Sequence, residues 1–225
     1  LFILPLALLS AALFQPAIAG GIAPGATRVI YETAEKQASL AVINSDSHER
    51  YLIQAWVEDA SGQRTRDFIV TPPLFTASPK SENSLRIMYM GKPLPQDRET
   101  VFWMNIKAIP AVNKESIKDK NTLQLAVLSR IKLFMRPEGL SMGEMESAEK
   151  LSFHNNGKTL TAFNPTPYYQ TLVNISLGGK KIKNTMVPPL GQLDIPLPAD
   201  ASGSLTFQTV NDYGAITPQR NGVFK

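Results

Sequence analysis

The chain alternates short apolar runs with clusters of turn-forming residues. The alternation is clearest where Leu123, Leu125 and Val127 interleave with Thr122, Gln124 and Ala126, as in a strand with one buried face. Turn-forming residues return about every 8–12 positions, as in β-sandwiches. The stretch 142–150 has only a thin helical apolar face, and we interpret it as a loop or an edge strand. The pattern predicts an all-β protein with strands at 28–33, 38–44, 51–58, 67–71, 84–90, 101–109, 123–136, 151–154, 158–163, 168–177, 181–186, 192–195, 204–209 and 215–219.

Seven predicted strands followed by seven shorter ones fit two immunoglobulin-like sandwiches of roughly 100 residues each. Pro137 cannot continue a central strand ladder, and Gly139 permits a sharp change of direction. We therefore predict an N-terminal domain at 20–138 and a C-terminal domain at 139–225. Trp56 and Trp103 are expected to anchor the core of the first domain.

The first segment, residues 1–19, is apolar and carries no charge. It ends in Ala17-Ile18-Ala19, the small-x-small pattern that a signal peptidase recognises. The run is interrupted by Pro5 and Pro16, which favours a secretory signal over a membrane anchor. We predict an export signal at 1–19 without its basic first part, and a soluble mature protein that starts close to Gly20.

Composition excludes several classes of function. The 225 residues include no cysteine and only two histidines, which excludes Cys-based zinc or Fe–S sites and a Cys nucleophile. The formal charge of +4 is spread among interspersed residues of both signs, without the basic, aromatic-rich run typical of nucleic-acid binding. No nucleotide-binding, metalloprotease, esterase or calcium-loop motif is present. These observations favour a binding protein over an enzyme and predict neither a cofactor nor a metal.

The predicted strand at 123–136 is much longer than the usual five to six residues. Arg130, Lys132 and Arg136 add basic charge at its far end. One interpretation is a central core strand with a solvated basic end. The other is a long edge strand reserved for a partner, because an open edge otherwise invites aggregation. Such a strand can add its backbone to the sheet of another chain.

Around this strand the sequence resembles the periplasmic pilus chaperones of the chaperone–usher pathway, and is close to their type 1 fimbrial members. The resemblance covers nearly the whole mature chain, and its motifs are specific as a set. The matching segments are GATRVIY (25–31), YLIQAWVED (51–59), FIVTPPLF (68–75), LPQDRETVFWMNIKAIP (94–110), NTLQLAVLSRIKLFMRP (121–137), NPTPYY (164–169) and NDYGAITP (211–218).

The resemblance implies a boomerang of two immunoglobulin-like domains with a cleft between them. It also implies a chaperone that binds, folds and caps pilus subunits and adhesin by donor-strand complementation, then delivers them to an outer-membrane usher. The loop at 110–121 is short and no cysteine pair can brace a longer arm, which is similar to the short-loop members that build rod-like pili. Whether the free protein associates with itself through the exposed strand stays open.

Three sets of residues carry over by motif. The pair that anchors the C-terminal carboxylate of the subunit is matched by Arg28 and Lys132. The residues that fill the subunit groove are matched by Leu123, Leu125 and Val127. A set of salt bridges between the domains is matched by Glu99, Arg136 and Asp212. Lys132 has the opposite strand parity to the groove-filling residues. A regular strand would point the two groups to opposite faces, unless a bulge or a cleft that wraps around the strand end reconciles them.

Two other classes of protein stay open at this point. A pilus subunit or adhesin would carry an N-terminal donor extension and usually a disulfide. An exported β-sandwich enzyme or carbohydrate-binding module would show clustered carboxylates or an exposed aromatic platform. The sequence gives no clear sign of either class.

Overall fold

The computed structural model describes residues 20–111 and 125–225. It arranges them in four β-sheets that form two sandwiches, which confirms the predicted all-β fold. The first sandwich contains β1 (Ile22–Pro24), β2 (Arg28–Glu32), β3 (Ala38–Asn44), β4 (Tyr51–Glu58), β5 (Phe68–Thr71), β6 (Leu74–Ala77), β7 (Ser81–Tyr89), β8 (Thr100–Pro110) and β9 (Val127–Arg136). The second contains β10 (Ser152–Asn155), β11 (Thr159–Asn164), β12 (Gln170–Leu177), β13 (Lys180–Lys181), β14 (Thr185–Val187), β15 (Gly191–Pro196), β16 (Leu205–Thr209) and β17 (Arg220–Asn221).

The first sandwich packs a sheet of order β1-β3-β7-β5 against one of order β2-β9-β8-β4-β6. Period-two alternation aims one face of each strand inward. On β4, for example, Ile53, Ala55 and Val57 are buried. They join a core that includes Leu85 and Leu133. In the second sheet β2 pairs with β9 in parallel, whereas the other pairs of the sheet are antiparallel.

The second sandwich packs a sheet of order β10-β11-β15 against one of order β13-β12-β16-β17, with β14 also paired to β12. Its core is separate from that of the first sandwich and is built on Phe153, Leu160, Leu172 and Phe207. No helix in the described part of the chain is long and apolar enough to cross a membrane.

Two local expectations are wrong. The stretch expected to be a loop or edge strand forms a short helix α1 (Glu144–Ser147), continued by a 3₁₀ turn at Ala148–Lys150. The two tryptophans lie outside the core cluster, on the outer face of the sheet. Trp103 packs there under Arg130, whose Cζ is 4.1 Å from the ring centroid, and Trp56 donates a hydrogen bond from Nε1 to Glu58. Their neighbours in sequence took the inward positions, so alternation placed these rings outside.

Strand β9 runs in unbroken register along β8 from Val127 to Met135, without a bulge. Its odd positions Ile131, Leu133 and Met135 belong to the core of the first sandwich. The even positions therefore face the other way, and there Lys132 and Phe134 contact the second sandwich. The described strand starts later than the predicted 123–136: Leu125 and Ala126 are described but are not part of the strand, and residues 112–124 lie outside the described ranges.

Candidate functional site

One side of β9 is open over half of its length. Toward β8 the strand is paired from Val127 to Met135. Toward β2 it is paired only from Lys132 to Arg136, because β2 begins at Arg28 opposite Lys132. Within the described residues, the stretch from Val127 to Ile131 thus has a neighbouring strand on one side only. Its free backbone groups can accept one further strand.

The residues at the start of this open edge are apolar and exposed. Leu125 is 67% exposed and Val127 is 59% exposed. Val127 has the parity of Ile131 and Leu133, so it continues the core-facing row of β9 beyond the end of the core. Leu123, the third predicted groove-filling residue, lies outside the described residues.

The open edge ends at two cations. Arg28 and Lys132 are register partners on adjacent parallel strands, which brings their side chains to the same face of the sheet. Arg28 is only 9% exposed, and its Nε has no hydrogen-bond partner. Among the ion pairs of residues 20–111 and 125–225, none includes Arg28 or Lys132.

Both cations are held in an environment that disfavours their charge. Burial lowers the pKa of Arg28, and the more distant acidic residues around it, Asp212 foremost, only partly offset the effect. Burial, with the positive charge of Arg28 as a second cause, lowers the pKa of Lys132 to about 8. An incoming anion relieves this by charge-assisted hydrogen bonds, which are stronger than neutral ones. The pair can therefore bind a carboxylate, with Arg28 supplying a planar fork and Lys132 a point charge.

The second sandwich contacts both cations through neutral oxygen atoms. Arg28 donates from Nη1 to the carbonyl oxygen of Val210 at 2.9 Å. Lys132 donates from Nζ to Thr171 Oγ1 at 2.9 Å. Neither contact is predicted from the sequence. Thr171 follows the NPTPYY segment by two residues and thus lies on the face of Tyr169, but a single threonine carries no charge pattern that marks it.

Farther along β9, the structure brings Glu99, Arg136 and Asp212 together across the two sandwiches. Arg136 binds Asp212 through two hydrogen bonds, Nη1 to Oδ2 at 2.6 Å and Nη2 to Oδ1 at 2.8 Å. It also donates from Nε to Glu99 Oε1 at 2.9 Å. The other Glu99 oxygen accepts the backbone N–H of Tyr169 at 2.8 Å, so one carboxylate links three segments.

The surroundings disfavour the charge of Glu99 but favour that of Arg136. Burial raises the pKa of Glu99 to about 7, despite the opposing charge of Arg136, because this carboxylate is only 3% exposed. Burial also opposes the charge of Arg136, but its hydrogen bonds and charge interactions with Asp212 and Glu99 outweigh it and raise the pKa of Arg136. The two shifts differ because Arg136 forms ion pairs with three carboxylates, those of Asp212, Glu99 and Glu32, whereas Glu99 has a single cationic partner within the described residues. Arg136 is thus charged, and the link to Asp212 is the stronger arm.

No group of three or more metal-ligating side chains occurs in the part of the chain that the structure describes. The site itself consists of an apolar open edge that ends in two cations.

Comparison with known proteins gives consistent matches along the chain. Residues 21–141 match the family model of the pili and flagellar-assembly chaperone, PapD N-terminal domain, and residues 146–221 match that of the pili assembly chaperone PapD, C-terminal domain. The chaperone protein FimC of Escherichia coli K12 is 50% identical over 206 residues, which are 91% of this chain and 85% of FimC.

Solved structures give the same result. The crystal structure of the periplasmic chaperone SfaE matches with a TM-score of 0.79 and 46% identity, over 90% of this chain and all of that one. A chain of the Salmonella enterica complex of the SafA pilin with the SafB chaperone matches with a TM-score of 0.82 and 31% identity, over 91% of this chain and 97% of that one. The two-sandwich chain described above therefore belongs to the PapD family of pilus-assembly chaperones.

Proposed function

We propose that this chaperone captures pilus subunits by donor-strand complementation at the open edge of β9. The observation that carries the proposal is that the open stretch Val127–Ile131 ends at Arg28 and Lys132, two cations without an ion pair among the described residues. An incomplete subunit sandwich that lacks one strand would gain main-chain hydrogen bonds from this edge and apolar contacts from Leu125 and Val127. Leu123 belongs to the proposed groove-filling set by its motif match alone.

The geometry supports one direction for the captured strand. A strand that pairs with Val127–Ile131 on the β2 side would lie in line with β2, about 16 Å long at the usual rise per residue. Only the C-terminus of a chain offers a free main-chain carboxylate. To place it at Arg28 and Lys132, the strand must run toward them, and therefore parallel to β9. The anchor thus selects the end of the subunit and sets its register.

Strand parity separates the two tasks. Because β9 is regular, Val127 continues the core-facing row, whereas Lys132 belongs to the opposite face that meets the second sandwich. A partner strand lies beside β9, between these two faces. Its side chains can pack against the apolar row while its terminal carboxylate bonds to the cations.

The test is co-expression with pilus subunits in the periplasm, followed by co-purification. Val127→Glu places a charge in the apolar row, and we expect capture to fall at least about tenfold because a buried carboxylate without a partner costs several kcal/mol. Leu128→Glu is the matched control, since Leu128 is adjacent, 51% exposed and on the opposite face. Equal capture by the two variants would contradict the proposed orientation.

The anchor is tested in the same assay with Arg28→Ala and Lys132→Ala. We expect both variants to fold and to lose stable subunit capture, while Lys158→Ala, an exposed lysine of the second sandwich, retains it. Normal co-purification with both anchor variants would refute the assignment.

The remaining parts of the proposal rest on family membership and on sequence. Residues 1–19 serve as a signal for export to the periplasm, and N-terminal sequencing of the mature protein should begin close to Gly20. The domain boundary lies near 138, between the end of β9 at Arg136 and the start of the second family match at 146. The protein works by binding alone, without catalysis. It delivers subunits to an outer-membrane usher, so usher-containing membranes should release the subunit from a purified complex.

A further inference from the structure

The two anchor cations belong to the first sandwich, but their hydrogen bonds lead to the second. Arg28 Nη1 donates to the Val210 carbonyl, and Lys132 Nζ donates to Thr171 Oγ1, each at 2.9 Å. Within the described residues these are the only hydrogen-bond acceptors of the two side chains. The first sandwich thus fixes the backbone positions of Arg28 and Lys132, and the second fixes the positions of their nitrogen donors.

The two acceptors are neutral, which matters for an anion site. A carboxylate acceptor would hold the cations equally well but would neutralise them. A hydroxyl and a carbonyl oxygen restrict the side chains and leave both charges available. Asp212, the nearby acid with the largest effect on Arg28, is engaged by the two hydrogen bonds from Arg136.

We infer that Thr171 is a positioning residue for the carboxylate anchor, which is complete only when the two sandwiches are docked. This inference rests on the proposed function of Arg28 and Lys132. Thr171 is buried on β12, and a buried hydroxyl that accepts from an ammonium restricts a flexible lysine to one position. Ordering the side chain before binding removes that entropic penalty from the capture step.

A coupling between docking and capture follows. The same interface holds the Arg136–Asp212 pair, and Asp212 lies two residues after Val210. Contacts that dock the sandwiches therefore also place the two acceptors. By linkage, a bound carboxylate must stabilise the docked arrangement by the same free energy that docking adds to carboxylate affinity.

The test uses a synthetic peptide with alternating apolar residues, made once with a free C-terminal carboxylate and once with a C-terminal amide. The full chaperone is titrated with both forms, and the ratio of the two affinities measures the anchor alone. We expect Thr171→Val to lower that ratio about fivefold, since it removes a hydrogen bond to a charged group, and Thr171→Ser to keep it. Thr161→Val is the matched control, because Thr161 is a strand threonine of the same sandwich whose hydroxyl donates a hydrogen bond to Asp194 and contacts neither anchor cation.

The outcomes separate the inference from the proposal on which it rests. If the wild-type chaperone binds both peptides equally, the carboxylate anchor itself is wrong. If the wild type prefers the acid and Thr171→Val keeps that preference, the positioning role is wrong. An equal loss for both peptides in Thr171→Val also overturns it, because that result describes damage to the fold. Thr171→Ala removes the same hydroxyl without adding a methyl group and replaces the valine variant if the latter does not fold.

Discussion

The affinity of the Arg28–Lys132 pair for a carboxylate should fall as the pH rises through about 8. Burial and the nearby charge of Arg28 lower the pKa of Lys132 to about 8 in the free protein. A bound carboxylate favours the ammonium form and raises that pKa again. Above pH 8, binding must therefore be preceded by protonation of Lys132, and the affinity falls with the protonated fraction.

The magnitude follows from this pKa. At pH 7 about nine molecules in ten carry the ammonium, and at pH 9 about one in eleven does. The affinity for a carboxylate should thus be about tenfold weaker at pH 9 than at pH 7, which corresponds to about 1.4 kcal/mol. Arg28 keeps its charge throughout this range because an arginine stays protonated even when burial lowers its pKa.

The assay is a titration of the chaperone with the acid and amide peptides at pH 7 and pH 9. Wild type should lose about tenfold in affinity for the acid and little for the amide. Lys132→Arg keeps a positive charge at both values and should show no such loss. The reasoning is refuted if the acid binds equally at both values, or if Lys132→Arg shows the same decline, since another group would then be titrating.

Three further predictions concern stability and capture. Lys132→Met should raise the free energy of unfolding at pH 7 by about 1–2 kcal/mol, because the folded protein lowers the pKa of Lys132 and so disfavours its ammonium. In urea unfolding this gain in stability should shrink between pH 8 and 10.5, where the wild type releases the proton of Lys132. Asp212→Asn should lower stability by about 1–3 kcal/mol, because Arg136 is 12% exposed and loses one of its two hydrogen bonds to Asp212 together with the negative charge of that partner. Asp97→Asn, in an exposed pair with Arg98, should unfold like the wild type. Leu125→Glu should weaken subunit capture at unchanged thermal stability, since Leu125 is already 67% exposed in the free protein.

Strand parity was readable from sequence because it depends only on the alternation of neighbours. Lys132 and Val127 do lie on opposite faces of β9, and the strand needs no bulge to reconcile them. The tryptophans show the limit of this reasoning. Trp56 and Trp103 are large and apolar enough for a core, but the inward positions next to them were already filled by Ala55, Val57 and Met104. Which parity faces inward is decided by packing against the other sheet.

The motif match placed Arg28, Lys132, Glu99, Arg136 and Asp212 without indicating how they meet. In the structure, the parallel pairing of β2 with β9 sets Arg28 beside Lys132, although about 100 residues separate them in sequence. The contacts of Thr171 and Val210 with the two cations could not be predicted from the sequence, since a neutral hydroxyl and a main-chain carbonyl occur in any strand. Such contacts depend on how two sandwiches dock and are not encoded in a local pattern.

The sequence by itself determined the local properties of this protein: a β-rich pattern, an uncharged apolar first segment, and alternating apolar residues that are followed by basic ones at 123–136. These follow from periodicity, turn chemistry and charge, which act over a few residues. The tertiary structure alone decided that, within the described residues, one side of this strand is unpaired from Val127 to Ile131, and that a buried arginine and a half-buried lysine lie at its end. A strand edge is open only when no distant segment pairs with it, and two like charges stay together only when the surrounding fold holds them there.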